Sequence, residues 1–451
     1  MIQQENKMGT HNIIHLLITM SIPPAISMLT SSLYNIVDSI FIANLGNDAL
    51  TAISLAFPIQ MLIIAIAVGS GIGVNSYISR TLGAKNYTLV NNIALHGIAL
   101  SVIHYLFLSL LGLIFIKPFF NFFTTDLYIF KMSCDYIYIV IFFSIGIIIQ
   151  IGIEKIFQAT GNTLTPMFLQ IIGAITNIIL DPIMIYGYFG FPKLGIKGAA
   201  IATICGQFTA LFCSLYLLFF KTKEININLK NFKWNFNIIK NIYAVAIPSF
   251  FIISLTSFMV MGINYILTTI SLLAVSIFGI YYKVQTFIFM ATSGVTQGAI
   301  PIMGYNYGAK NKNRLLQTLT YSIIICIGIN ILGTFIFWIS PKEILSLFNP
   351  SSEIIKLGIP ALKIISLSFP FGGVCFVLAC FFQAIGKGSF SLLITLLRQF
   401  IFLLPLGYFL GNIFYLKGVW IAFLISDLTT CILSIIIYKN YSKTDEVLKS
   451  L

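Results

Sequence analysis

Two carboxylates stand in stretches where an oily chain has little reason to keep them. Asp38 lies in "NIVDSIFIANL", residues 35–45, near the outer third of an apolar run that begins at Ile13. Asp181 lies in "NIILDPIMIYG", four residues after Asn177, so amide and carboxylate share one helix face. Pro182 follows and has no N–H to give, which leaves the carbonyl of Ile178 without its helical partner. A freed carbonyl beside a carboxylate and an amide oxygen is what a hard cation seeks. A charged carboxylate inside a bilayer costs roughly 2.5–3.5 kcal/mol on insertion scales and by default marks an ion or substrate path. Two near each other either share a proton or hold a cation between them, and both behaviours couple a protein to a proton or sodium gradient. The other reading is a pair of buried acids kept as packing glue.

The elements that would carry these groups are membrane spans. The chain has 451 residues, 58% hydrophobic and 9% charged, with mean hydropathy +0.97, a composition that excludes a single water-soluble core. Twelve apolar runs of about 20 residues or more can cross a bilayer. They begin with 13–44 and end with 417–438, the fourth at 136–157, the tenth at 358–384 and the eleventh at 389–415. The first run follows a polar N-terminus without a small-residue cleavage pattern and is expected to stay as a helix. The seven cysteines sit in or at apolar runs without a C-x-x-C pair, so neither a disulfide framework nor a zinc site is expected.

Net charge is +13, and its distribution points to topology. With the N-terminus inside, seventeen Lys and Arg fall in cytoplasmic segments, Lys155 and Arg398 among them, against eight outside, with Lys283 left within a span. That asymmetry predicts both termini in the cytoplasm, in a plasma (inner) membrane, with no nucleic-acid partner. On this topology Asp38 lies about 10 Å below the outer end of its run, and Asp181 and Thr203 about 12 Å below theirs, so the three share a layer. Tyr34 and Asn35 precede Asp38 by four and three residues and face roughly the same way.

The chain repeats itself. "LGAKN" at 82–86 matches "YGAKN" at 307–311, and the same shift of 225 takes Pro23 to Pro248, Gln60 to Gln285 and "FQATG" at 157–161 onto "FQAIG" at 382–386. Two six-span halves, 1–220 and 242–451, follow, joined by a Lys/Asn-rich cytoplasmic linker at 221–241. Because six is even, the halves enter the membrane with one orientation. The fold class is therefore an all-α polytopic membrane protein of twelve transmembrane helices in two parallel six-helix repeats, an architecture secondary transporters use. A duplicated channel or membrane enzyme is the alternative.

Only the first half has the acidic cluster. At the shift of 225, Asp38 becomes Ile263, and no acid stands at the counterpart of Asp181. The second half carries Lys283, Arg398 and Asp427 instead, and Asp427 could neutralise either base as ion-pair glue. Glu154 and Lys155 lie near the inner end of the fourth run, where snorkelling and a local salt bridge would account for them. His11 and His15 are a weak metal signal; His96 and His104 read as interfacial or core. H-E-x-x-H, G-x-S-x-G, Walker A and a usable G-x-G-x-x-G are absent, so neither an enzyme nor an ATPase is expected.

"SIPPAISMLTSSLYNIVDSIFIANLGNDALTAISLAFPI", the paired "GAKN" turns, "FQATGNTLTP", "NIILDP" and "GIKGAAIAT" resemble the multidrug and toxic compound extrusion (MATE) family along nearly the whole chain. The resemblance implies a V-shaped pair of six-helix lobes that exchanges Na⁺ or H⁺ for amphipathic, often cationic drugs, without a cofactor and as a monomer in the lipid bilayer. It further implies a cation site at Asp38, Asn177, Asp181 and Thr203. Members that use acids on helices 7 and 10 differ from this chain, which has none between Ala246 and Lys342. A flippase for lipid-linked precursors or polysaccharides, of the same wider superfamily, is the alternative; it would need several basic groups facing its cavity, and only Lys283 and Arg398 are available.

Overall fold

A computed structural model describes residues 6–222, 232–348 and 351–449. Residues 223–231 of the linker, with Lys223 and Lys230, lie outside the described residues. Helices joined by short turns make up the described chain: α1 Ile13–Ala43, α2 Asn47–Gly83, α3 Tyr87–Phe123, α5 Leu164–Tyr186, α6 Ile196–Phe220, α7 Phe236–Thr268, α8 Leu272–Gly308 and α9 Lys312–Ile339. Two spans are bent by 45°: α4 is Leu127–Phe142 with Ile145–Ala159, and α10 is Ser352–Ser366 with Phe369–Ala384. From Gly388 to Ser442 the backbone is helical except at Tyr415, whose φ of 52° and ψ of −141° break it. A Cβ on Gly418 would collide with the carbonyl of Leu410. Residues eight apart in a helix are separated by about 12 Å, so the chain doubles back there. The break divides this stretch into α11 (388–414) and α12 (416–442), and the described residues hold twelve spans.

Span four starts nine residues before the apolar run that marks it, because polar residues build its first turns. Asp126 caps it by accepting from the backbone N–H of Tyr128 at 2.7 Å and of Ile129 at 3.2 Å. Asp135, two turns on, pairs with Lys197 of α6 at 3.3 Å. Of the bases assigned above to the cytoplasm, Lys155 and Arg398 stand in the packed part of their spans. Lys155 is buried at 7% exposure and donates to Gln158 Oε1 at 2.9 Å, so it does not snorkel. Arg398 sits about 15 Å along α11 from its start. Without them the expected count becomes fifteen against eight.

The repeat reappears in backbone geometry. Lys85 and Lys310, 225 residues apart, both adopt left-handed φ, at 59° and 55°. The asparagine after each caps the next helix: Asn86 accepts from Leu89 N at 3.1 Å and Asn311 from Arg314 N at 3.2 Å. The "GAKN" motif is thus a tight inter-helix turn followed by an N-cap. The bends of α4 and α10 also recur within one residue of the 225 shift.

Two compact units result. One comprises Ile26–Thr81 and Asn86–Ala246; the other comprises Met1–Ala25, Leu82–Lys85 and Ile247–Leu451. The boundaries fall inside α1, just after Pro23–Pro24, and inside α7, just before Pro248. The first unit packs around Ile42, Ile63, Phe120, Tyr136, Ile137 and Ile185, the second around Ile263, Phe278, Tyr281, Phe337, Phe369 and Trp420.

Candidate functional site

Within the first unit, α5 and α6 run against each other at glycines. A Cβ on Gly206 would lie 2.6 Å from the carbonyl oxygen of Gly173 and 3.2 Å from Asn177 Cβ. The absence of a side chain there lets the two backbones close, and the polar groups one turn away meet as a result. Asn177 Nδ2 donates to Asp181 Oδ1 at 3.2 Å and reaches Thr203 Oγ1 on α6 at 3.4 Å. Asn177 is 3% exposed and Asp181 0%.

α1 brings the second carboxylate. Its C-terminal end is pinned by Tyr186 of α5, whose hydroxyl donates to the carbonyl of Phe41 at 2.7 Å; that carbonyl has no helical donor because the helix ends at Ala43. The rings of Phe41 and Tyr186 meet edge to face at 6.3 Å. So anchored, Asp38 places its carboxyl within hydrogen-bonding reach of Asp181. Asp38, Asn177, Asp181 and Thr203 therefore come together. Tyr34 lies beside both carboxylates, whereas Asn35 is exposed and outside the hydrogen-bonded set.

Satisfaction of the oxygens decides what this cluster can do. Asp38 Oδ1, Asn177 Oδ1 and Asp181 Oδ2 are buried and have no hydrogen-bond partner. Among the described residues no lysine or arginine pairs with either carboxylate. Buried acceptors left without donors are costly, about 1–3 kcal/mol each and more for charged groups. Three in one place, from two carboxylates and an amide, form a set that a proton or a hard cation would complete.

Sequence reading missed three residues here. Tyr136 of α4 is buried next to Asp38 and Asp181 and accepts from Gln60 Nε2 of α2 at 2.7 Å; Tyr186 is the third. Gln60 carried a signal as one of the positions kept across the repeat. Tyr136 and Tyr186 carried none, since a tyrosine in an apolar run looks like any core or interfacial ring.

The second unit has different chemistry. Arg398 on α11 holds Asp427 on α12 through two bonds, Nε to Oδ1 at 2.7 Å and Nη2 to Oδ2 at 3.1 Å. The carbonyl of Arg398 accepts from Ser426 Oγ at 2.6 Å, and its guanidinium lies 6.0 Å from the Phe289 ring. Arg398 is the second residue of a π-helical stretch, Leu397–Leu403. A Cβ on Gly372 of α10 would come within 2.8 Å of Arg398 Nη2 and 2.9 Å of Asp427 Oδ2, so the pair seats directly on the α10 backbone. Asp427 thus pairs with Arg398 and not with Lys283, whose ammonium lies 5.8 Å from the Phe348 ring.

Comparison with known proteins agrees with this architecture. The MatE family model matches residues 23–183 and again 248–409, two segments that begin 225 residues apart. The FAD transporter of Shewanella oneidensis is 27% identical over 419 residues, 91% of each chain. Multidrug export protein MepA of Staphylococcus haemolyticus is 27% identical over 413 residues, 91% of this chain and 90% of the relative. An outward-facing multidrug resistance MATE family transporter of the MOP superfamily superposes with a TM-score of 0.91 at 25% identity, over 100% of this chain and 99% of that one. Matched in both halves by one family model, and along its whole length by a solved transporter, this multi-pass membrane protein belongs to the MatE (multidrug and toxic compound extrusion) family of transporters.

Proposed function

We propose that the chain is a cation-coupled antiporter that exports amphipathic, often cationic, drugs and toxic compounds, with Asp38, Asn177, Asp181 and Thr203 holding the coupling ion. The observation that carries this reading is the trio of buried, partnerless oxygens at Asp38, Asn177 and Asp181. The names of the relatives support the export of drugs. The lobes 1–220 and 242–451 act as the two moving bodies, both termini lie in the cytoplasm of the plasma membrane, and the monomer is the working form.

In the cycle, Na⁺ or H⁺ enters from outside and fills the set of oxygens. The charge that held Asp38 and Asp181 apart from their apolar surroundings is neutralised, and α1 shifts about Pro23–Pro24, where the helix lacks two N–H donors. Tyr186, bonded to the Phe41 carbonyl, passes that shift to α5. The drug leaves outward, and the ion leaves inward as the protein returns. Each positive charge moved inward contributes about 2.3 kcal/mol per 100 mV, roughly a fifty-fold concentration ratio, so one ion per cycle supports useful export. The flippase alternative needs several free basic groups, and Arg398 is held by Asp427.

Efflux of ethidium from proteoliposomes carrying the wild-type protein, under an imposed Na⁺ gradient and separately a pH gradient, tests this reading. Acceleration by one gradient names the ion; efflux indifferent to both contradicts antiport.

A further inference from the structure

The inner arm of α1 is fastened and its outer arm is not. Ile13, Leu16, Leu17, Met20, Ser21 and Pro24 are buried, a stripe at helical spacing. From Ile26 to Phe41, the stretch that carries Asp38, no residue is buried. The change falls just after Pro23–Pro24, where α1 also passes from the second unit to the first.

The contacts of the inner arm lie within the second unit and are close. A Cβ on Gly298 of α8 would come 2.7 Å from the carbonyl oxygen of Met20, and one on Gly294 would come 2.9 Å from that of Ser21, so α1 rests there on bare backbone. Ahead of α1 the single helical turn Lys7–Thr10 ends at His11, and Asn12 starts α1 by accepting from the backbone N–H of Ile14 at 3.0 Å. This joint is gripped from α9 and α8. Arg314 Nη2 donates to the carbonyl of His11 at 2.7 Å and to that of Met8 at 3.1 Å, and Asn306 Nδ2 also donates to the Met8 carbonyl, at 3.1 Å. The Met8 side chain is fully buried. Arg314 stands in the first turn of α9, where the helix dipole disfavours a cation, and the two carbonyls offset that cost.

We propose that Arg314 is a positioning residue for coupling: it clamps the inner end of α1 to the second unit, so that a shift of the Asp38 arm bends α1 and is not lost as a slide of the whole helix. A helix free at one end answers a push at the other by moving bodily. Held at both, by Arg314 inside and by Tyr186 on the Phe41 carbonyl outside, it bends where two consecutive prolines lack N–H donors. The inference rests on the antiport reading above and adds the fixed point that makes α1 a lever.

The test uses ethidium efflux from proteoliposomes carrying wild type, Arg314→Gln or Arg314→Lys, with and without a gradient of the ion that drives wild type, together with amide hydrogen exchange of the same preparations. Loss of two charge-assisted bonds in Arg314→Gln should lower the ratio of driven to undriven efflux by about tenfold. The ratio cancels any loss of folded protein. The half-saturating ion concentration should stay within about twofold of wild type, because the residues of the ion site are distant and untouched. Exchange should quicken over residues 7–20 and not over 177–203. Arg314→Lys, which keeps donors for both carbonyls, should recover most of the ratio. An unchanged ratio in Arg314→Gln, unchanged exchange over 7–20, or a raised half-saturating concentration overturns the inference and leaves the antiport reading intact. A wild type whose efflux ignores both gradients overturns both.

Discussion

Asn177 shows how one side chain organises a site. Its amide N–H₂ serves Asp181 and Thr203 together, so its oxygen is left to face the same space as the two carboxylates. Thr203→Val removes the hydroxyl that receives the amide and should weaken the dependence of efflux on the coupling ion by about two- to tenfold; Thr203→Ser should restore it. Titration of the efflux rate against ion concentration checks both variants. Arg398 and Asp427 call for a different outcome. Asp427→Asn leaves a buried guanidinium half-paired and should cost about 3–5 kcal/mol, read as a lowered Tm in detergent, while Arg398→Met with Asp427→Leu should recover most of the loss. The principal residues of the first cluster were legible in the sequence because an acid in an apolar run is rare. Which base Asp427 would choose was not legible, since the pairing depends on a glycine at 372 that lets α10 seat the pair.

At the scale of elements, the α5–α6 pair depends on missing side chains. Gly206→Ala puts a methyl group 2.6 Å from the carbonyl of Gly173. Separating the helices to admit it should cost about 1–3 kcal/mol, and because Thr203 moves away from Asn177, ion dependence should weaken with it. A matched thermal melt and efflux titration would show both changes in one variant. The "GAKN" turns make a paired expectation: Asn86→Ala and Asn311→Ala each remove one N-cap and should each cost about 1 kcal/mol. Helix existence was readable from apolar run length, but helix ends were not. The first turns of α4 are built from Asp126, Lys131 and Asp135, which a search for apolar runs passes over. The tight reversal at Tyr415 fell on the last residue of the eleventh run, where sequence marks a boundary but not the left-handed residue that makes it.

The whole molecule is a duplication that has diverged in chemistry while keeping its backbone. Turns, caps and bends recur at the 225 shift, and the family model matches twice. Yet the first unit carries two carboxylates with partnerless oxygens and the second carries a closed ion pair. The repeat was legible because motifs of fixed spacing survive divergence. The membership of the units was not, for the boundaries fall inside α1 and α7, where a continuous helix gives the sequence no break to show. On the antiport proposed above, coupling would belong to the first unit alone. The measurement that tests this most directly is gradient-driven ethidium efflux from proteoliposomes carrying wild type, Asp38→Asn or Asp181→Asn, each checked for equal reconstitution. The account predicts that the gradient no longer accelerates efflux in either variant. Acceleration equal to wild type in both would make the carboxylates packing groups and contradict it.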